Sequence, residues 1–268
     1  MPARLLRNRS RRATFLCYHS VASEGPRYLT VSAELFERQL AELRRRGVRT
    51  GGLADLEEAA AGRIAAPTAF LTFDDGFRDN HETVLPLLRE HGLSAFVFVL
   101  PPLLDGGAAF EWPEVAEDQQ RFPATMRSVD WEMLGEMREG GFEVGSHTLT
   151  HPHLQRLEGE ALREELWDSR QRLVERLGSC ETIAYPFGEW SEEVAVAARE
   201  CGYSYAFSLP TAYGQRRATP HTIPRINVDY RDDESRFGRK LGPLGKELFL
   251  SPQLATVRRL TRRLRGAG

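Results

Sequence analysis

The stretch Ala69-Phe70-Leu71-Thr72-Phe73-Asp74-Asp75-Gly76 is a short apolar run ended by two acids and a glycine. Five such residues bounded by turn formers are too few for a buried helix and read as a strand. Comparable runs recur at 14–18, 95–100, 142–145, 182–185, 204–207 and 222–228. Between them, helical periodicity runs through 33–46, 80–91, 131–139, 159–177 and 192–201. Gly47, Gly92, Gly140, Gly178 and Gly202 stand where helix C-caps are expected, because glycine accepts a left-handed backbone without steric cost. Strands that alternate with helices pair in parallel and imply an α/β class. About seven such units predict a distorted (β/α)7 TIM-like barrel in a single domain, residues 13–230. A basic arm (1–12) and a basic tail (231–268) flank it.

Composition sets bounds on function. Hydrophobic content of 41% and charged content of 28% are ordinary for a globular protein, so neither disorder nor a fibrous class is indicated. The net charge of -2 conceals an uneven distribution. Arg4, Arg7, Arg9, Arg11 and Arg12 open the chain, and Arg258, Arg259, Arg262, Arg263 and Arg265 close it, with no acid among them. The body is therefore acidic, which argues against nucleic acid as a partner. The C-terminal arginines share a segment with Leu254, Val257, Leu260 and Leu264, a pattern that suits an amphipathic helix on an anionic membrane surface. Cys17, Cys180 and Cys201 have neither metal nor redox spacing, and their number is odd. No run approaches the ~20 apolar residues of a membrane span, and the first apolar run is too short for a signal-peptide core. The expectation is a cytoplasmic or peripherally membrane-associated protein.

In a parallel barrel, residues just past the C-terminal ends of the strands converge on one mouth. His19 follows the first run, Asp74 and Asp75 the second, and His147 the fourth, with His151 four residues later. Pro186, Phe187 and Gly188 follow the fifth. A His pair four apart is a weak signal alone, and Asp-Asp-Gly alone commonly marks a turn. Together they offer two imidazoles and a carboxylate, a set that leaves coordination positions open for water and substrate. Adjacent carboxylates suit a divided task, in which one binds a cation and the other takes a proton.

These residues carry a resemblance. Leu71-Thr72-Phe73-Asp74-Asp75-Gly76 and Ser146-His147-Thr148-Leu149-Thr150-His151 resemble the first two motifs of the polysaccharide deacetylase family, also called carbohydrate esterase family 4 or the chitooligosaccharide deacetylase-homology domain. Tyr185-Pro186-Phe187-Gly188 looks like the third. The resemblance spans roughly residues 13–230. It implies a divalent ion, zinc or else cobalt or nickel, on Asp75, His147 and His151, with Asp74 as general base. It also implies an oxyanion site near Tyr185, Pro186 and Phe187, and an N-acetylated glycan as substrate. Two departures stand out. The arginine that usually opens the third motif, and orients the base, is replaced by Ala184, and the late histidine motif is missing. Phe15-Leu16-Cys17-Tyr18-His19-Ser20 instead resembles the circularly permuted, exopolysaccharide-deacetylase-like branch, which implies His19 as general acid. Arg225 is the candidate substitute for the missing arginine, and His221 the alternative acid.

Plainer readings accompany each residue. Asp74 and Asp75 suit a helix N-cap, His151 a turn before Pro152, and His19 a strand-end hydrogen bond. His81 and His153 read as surface residues. Ser128 or Asp130 reads as an N-cap with Trp131 packed inward. Trp112, in the Pro/Gly-rich excursion 101–127, and Trp190 read equally well as sugar platforms or packing anchors. Two other functions fit parts of the pattern: a glycan-binding pseudoenzyme, suggested by Ala184, and a non-haem iron oxygenase, suggested by two histidines and a carboxylate. The carboxylate 72 positions upstream of closely spaced histidines fits the oxygenase poorly.

Overall fold

A computed structural model describes residues 12–210 and 218–250. Strands β1 (Ala13–Tyr18) and β5 (Thr68–Phe73) pair in parallel, in register from Ala13 opposite Thr68 to Tyr18 opposite Phe73. This register places His19 and Asp74, the next residue of each strand, at one level. From β5 the sheet continues in chain order through β6 (Ala95–Val99), β7 (Phe142–Ser146), β8 (Thr182–Ala184) and β9 (Tyr205–Ser208), every pair parallel. Two short strands, β10 (Ile223–Pro224) and β11 (Ile226–Asn227), end the two sides of the sheet. The first pairs with β9 and the second with β1, and only Arg225 separates them. One run of chain therefore bridges both edges and nearly closes an eight-stranded parallel barrel. Closure removes the unpaired edges that an open sheet would expose. The expected last strand, 222–228, is thus present as two pieces. Three two-residue strands lie outside this path: β2 (Ser20–Val21) pairs with β3 (Thr30–Val31), and β4 (Arg49–Thr50) with the start of β5.

Alternation along the strands sorts the side chains. Phe70, Phe96, Phe98, Ala184, Phe207 and Ile223 form one cluster, with Phe15 packed against it and stacked on Phe70 at 4.6 Å between ring centroids. Gly145 of β7 belongs to the same filling, because a Cβ there would lie 2.5 Å from the Phe98 ring. The outward residues Leu16, Tyr18, Leu71, Phe73, Val97 and Val99 pack in a second, larger cluster with Phe36 and Leu40 of α1 (Ala33–Arg45) and Leu162, Leu166 and Leu173 of α6 (Gly159–Leu177). The remaining helices of the barrel are α2 (Leu53–Ala60), α3 (Leu85–His91), α4 (Ala116–Arg121), α5 (Trp131–Glu139) and α7 (Glu192–Glu200).

Several local expectations change. The helix expected over 80–91 begins as a π-helical turn, Asn80–Val84, before α3. Four of the five expected capping glycines are left-handed, but Gly140 is not. A Cβ there would lie 2.3 Å from Leu85 Cδ1, so Gly140 serves close packing and Gly141 turns the chain. The excursion 101–127 is neither open loop nor disorder. It packs Phe110, Trp112, Val115 and Met126 against Phe77 and Leu100 in a small core of its own. Packed structure also continues beyond residue 230. Asp233 caps α8 (Glu234–Leu241), whose Phe237 and Leu241 join the larger core, and α9 (Pro243–Leu250) follows. The arginines before residue 12 and the 254–264 helix pattern lie outside the described residues. Among the described residues, no helix is long and apolar enough to cross a membrane.

Candidate active site

Because all the strands run the same way, their C-terminal ends share one mouth, and the inward side chains climb toward it in steps of two. On β1 the series is Phe15, Cys17, His19; on β5 it is Phe70, Thr72, Asp74. Arg225 enters from the link between β10 and β11 and is fully buried. Its guanidinium carbon lies 5.6 Å from the Phe98 ring centroid and 5.8 Å from that of Phe207, on top of the aromatic filling.

Arg225 grips Asp74 with both prongs. Nη1 donates to Oδ1 at 2.6 Å and Nη2 to Oδ2 at 2.7 Å. Nη1 also donates to Thr72 Oγ1 at 3.0 Å, and that hydroxyl donates to the Leu16 carbonyl. Burial pushes the Cys17 thiol well above its ordinary pKa, so the thiol remains a donor, and it points at Asp74 Oδ2 from 3.4 Å. Burial would raise Asp74 as well, but the Arg225 charge and hydrogen bonds, together with His147 and His19, outweigh it and hold the carboxyl well below the usual range. Ala184 lies buried within the aromatic cluster. The guanidinium absent there arrives from a different strand.

Asp75, His147 and His151 form a separate group whose donor atoms all lie within 4.8 Å of one another. The Nδ1–H of His147 donates to the Ala184 carbonyl at 2.8 Å, since a carbonyl only accepts. In the neutral ring this leaves a lone pair on His147 Nε2, which faces Asp75 Oδ1 at 3.3 Å. His151 Nε2 lies 3.4 Å from the same oxygen. Asp75 Oδ1 has no hydrogen-bond partner among the described residues. Burial works against a charged His147, but the Asp74 and Asp75 carboxylates outweigh it and raise its pKa. At His151 burial dominates and brings the pKa down to about 3. Arg225 pairs with Asp74, and Asp75 is left facing the two imidazoles. These residues fit a divalent cation, with N and O donors suited to zinc.

The backbone at this mouth is strained. The four non-glycine residues with positive φ among those described are Asp75 (69°), Thr148 (71°), His151 (61°) and Phe187 (59°). Such residues persist only where their surroundings over-determine them, and they cluster at functional sites. The His151 ring is held between Trp112, stacked at 4.2 Å, and Phe187, edge-on at 4.7 Å. Trp112 is thus a packing anchor against His151.

His19 stands with Cys17 and Asp74 in a second group of donor atoms within 4.8 Å of one another. Burial lowers its pKa, which the Asp75 and Asp74 charges only partly counter. Its carbonyl accepts from Asn80 Nδ2 at 2.8 Å. Asp79 takes the next two residues, Oδ2 from the Ser20 hydroxyl at 2.7 Å and Oδ1 from the Val21 N–H at 2.8 Å. Asp79 and Asn80 begin the π-helical turn, and neither was singled out in the sequence. A pair of polar residues at a helix start, four to five positions past Asp75, is the only signal that points to them.

Other candidates fall outside this centre. The Tyr185 side chain enters the larger core and donates to the His221 carbonyl, while Pro186 is buried; the Phe187 ring meets His151. His221 Nε2 bonds the Tyr203 carbonyl, away from Asp74. His153 sits between Glu114 and Glu189 and stacks on Phe187, and His81 pairs with Glu136, both half-buried. Asp130 caps α5 by accepting from Met133 N, and half-buried Trp131 packs against the larger core. Trp190 also packs against it.

The chain is similar in sequence and fold to known proteins. A model of the polysaccharide deacetylase family matches residues 62–206, which include Asp74, Asp75, His147 and His151 but neither His19 nor Arg225. YxkH of Bacillus subtilis (strain 168) is 26% identical over 227 residues, 83% of this chain and 74% of its own length. The poly-beta-1,6-N-acetyl-D-glucosamine N-deacetylase of Staphylococcus aureus (strain MSSA476) is 23% identical over 235 residues, covering 82% of this chain and 76% of that one. The chain spans about half the length of the chitooligosaccharide deacetylases it matches. Among solved structures, the Streptococcus pyogenes deacetylase PplD in complex with acetate superposes with a TM-score of 0.72 over 86% of this chain and 98% of PplD. At 20% identity, that likeness concerns the fold.

Proposed function

The chain belongs to the polysaccharide deacetylase family, and on that premise we propose that it is a metal-dependent hydrolase removing N-acetyl groups from an amino-sugar glycan. The observation that carries this reading is the placing of an Arg225-held Asp74 beside the Asp75–His147–His151 donor group. A divalent cation bound there would polarise the acetyl carbonyl and acidify a water beside it. Asp75 and the Nε2 atoms of His147 and His151 would hold it. Asp74, kept ionised by Arg225, takes the proton from the attacking water. The pairing trades basicity for orientation: a carboxyl so acidic holds the proton weakly and releases it again readily. Water oxygen bonds to the acetyl carbon, the C–N bond breaks, and the amine nitrogen receives one proton. His19 delivers it. The lowered pKa of His19 makes its protonated form a ready donor once negative charge has built up in the site. The backbone around Phe187, turned left-handed beside His151, would meet the developing oxyanion. Acetate and a free amino sugar result.

The substrate class is an N-acetylglucosamine polymer, oligomer or precursor, a choice supported by the named substrate of the Staphylococcus aureus relative. The pseudoenzyme reading rested on Ala184, and Arg225 removes its motive. Acetate release from N-acetylglucosamine oligomers, assayed with added zinc or cobalt, tests the proposal. Metal binding without turnover across polymer, oligomer and precursor substrates would favour a glycan binder. Tightly bound ferrous iron with oxygen-dependent turnover would favour an oxygenase.

A further inference from the structure

His147 and His151 converge on Asp75 without a helix between them, so the turn that joins them must be held by something else. Its five successive N–H groups can be followed one by one. His147 N–H reaches a backbone acceptor, the Val99 carbonyl, at 2.8 Å. The other four find side chains. Thr148 N–H donates to Ser146 Oγ at 3.0 Å, and His151 N–H to Thr148 Oγ1 at 3.2 Å. Leu149 N–H and Thr150 N–H both donate to Glu165 Oε2 at 2.9 Å, while the Thr150 hydroxyl donates to Glu165 Oε1 at 2.5 Å. One carboxylate therefore takes three donors from the two central residues of the turn.

The turn is strained on both sides of this grip. Thr148 and His151 have left-handed backbones, and for a β-branched residue such as Thr148 that conformation is a genuine outlier. Glu165 lies on α6, 14 residues beyond His151, and it is not among the candidate ligands. One helical turn further along, Ser169 accepts a hydrogen bond from the Ser146 hydroxyl at 2.9 Å, so the same face of α6 steadies the start of the turn.

We propose that Glu165 is a positioning residue that sets the spacing of the two metal-ligating histidines by clamping the strained 148–151 turn from α6. The inference rests on the metal-site reading above. With Glu165 intact, both imidazoles are placed before a cation arrives. Without it, the Leu149 and Thr150 N–H groups turn to water, the left-handed residues relax, and the histidines must be re-ordered on binding.

Zinc affinity of the full chain, measured by chelator competition, tests this without reference to any glycan. Glu165→Ala is expected to weaken zinc binding about tenfold to a hundredfold, the range typical for residues that orient metal ligands. The visible absorption of the cobalt-loaded protein should change with it. Glu165→Gln retains one carbonyl oxygen for the two N–H groups and should recover part of the affinity; it carries the test if Glu165→Ala loses its fold. Glu175→Ala, at an exposed position of the same helix, should bind zinc as the wild type does. Wild-type affinity and cobalt spectrum in both Glu165 variants would overturn the clamp and leave the metal-site reading standing. Failure of the wild type itself to bind zinc or cobalt would overturn both.

Discussion

Arg225 and Asp74 lie 151 residues apart in the chain and meet through two parallel hydrogen bonds of 2.6 and 2.7 Å, with Arg225 fully buried and Asp74 nearly so. The planar fork of a guanidinium matches a carboxylate in a way that a lysine ammonium does not. Charge and direction are therefore supplied together: Asp74 is kept ionised, and its plane is set by Arg225, with Cys17 as a third contact.

Replacing Arg225 should separate these two effects. Arg225→Ala leaves a buried carboxylate unpaired, which is expected to cost about 3–5 kcal/mol in stability. Arg225→Lys keeps the positive charge but has one prong, so it should retain more stability than Arg225→Ala and still lose most turnover. Denaturant unfolding and acetate release, measured side by side, check this. Full activity in Arg225→Lys would show that orientation by the fork is dispensable.

Asp74 and His147 are expected to fail differently. Asp74→Asn should retain bound metal while turnover falls roughly 100- to 10,000-fold, the range of a lost general base. His147→Ala removes a ligand and should lose both. Metal content by elemental analysis, paired with rate, distinguishes the two cases; an active Asp74→Asn protein would remove Asp74 from the role of base.

For the proton donor, His19→Ala should lower turnover about 100-fold with metal content unchanged. Asn80→Ala, which frees the His19 carbonyl, should lower it less. A His19→Ala rate equal to the wild type would assign the acid elsewhere. His221, bonded to the Tyr203 carbonyl, is badly placed to replace it.

Asp79 predicts a pH dependence of stability. Burial raises its pKa from 3.8 to about 6, although Val21 N–H, Ser20 and Asn80 work against the rise. A carboxyl raised on folding contributes stability that is fully present below about 3.8 and is lost as pH rises through about 6. The shift of about two units corresponds to roughly 3 kcal/mol. Asp79→Asn keeps an oxygen for Val21 N–H and carries no charge, so this component should vanish. Urea unfolding of both proteins at about pH 4 and about pH 8 checks it: the wild type should lose more stability between the two. Equal slopes would mean that Asp79 is not charged at a cost in the folded protein.

Much of this centre was legible along the chain because it depends on local rules. A two-residue period separates inward from outward side chains, and a parallel strand followed by a turn puts its next residues at the mouth. Those rules suffice for His19, Asp74, Asp75 and His147, and for the class of the fold. Other relationships depend on which elements become neighbours. The sequence offered Arg225 as a candidate, but its grip on Asp74 exists because one short run pairs with β9 on one side and β1 on the other. Trp112 meets His151 only once the excursion has packed its own small core. Glu165 shows no pattern apart from ordinary helix polarity until α6 lies beside the 148–151 turn. Residue type and local period determined which groups stand at the mouth. Barrel closure and helix packing decided which of them touch, since a hydrogen bond depends on distances that no single stretch of chain contains.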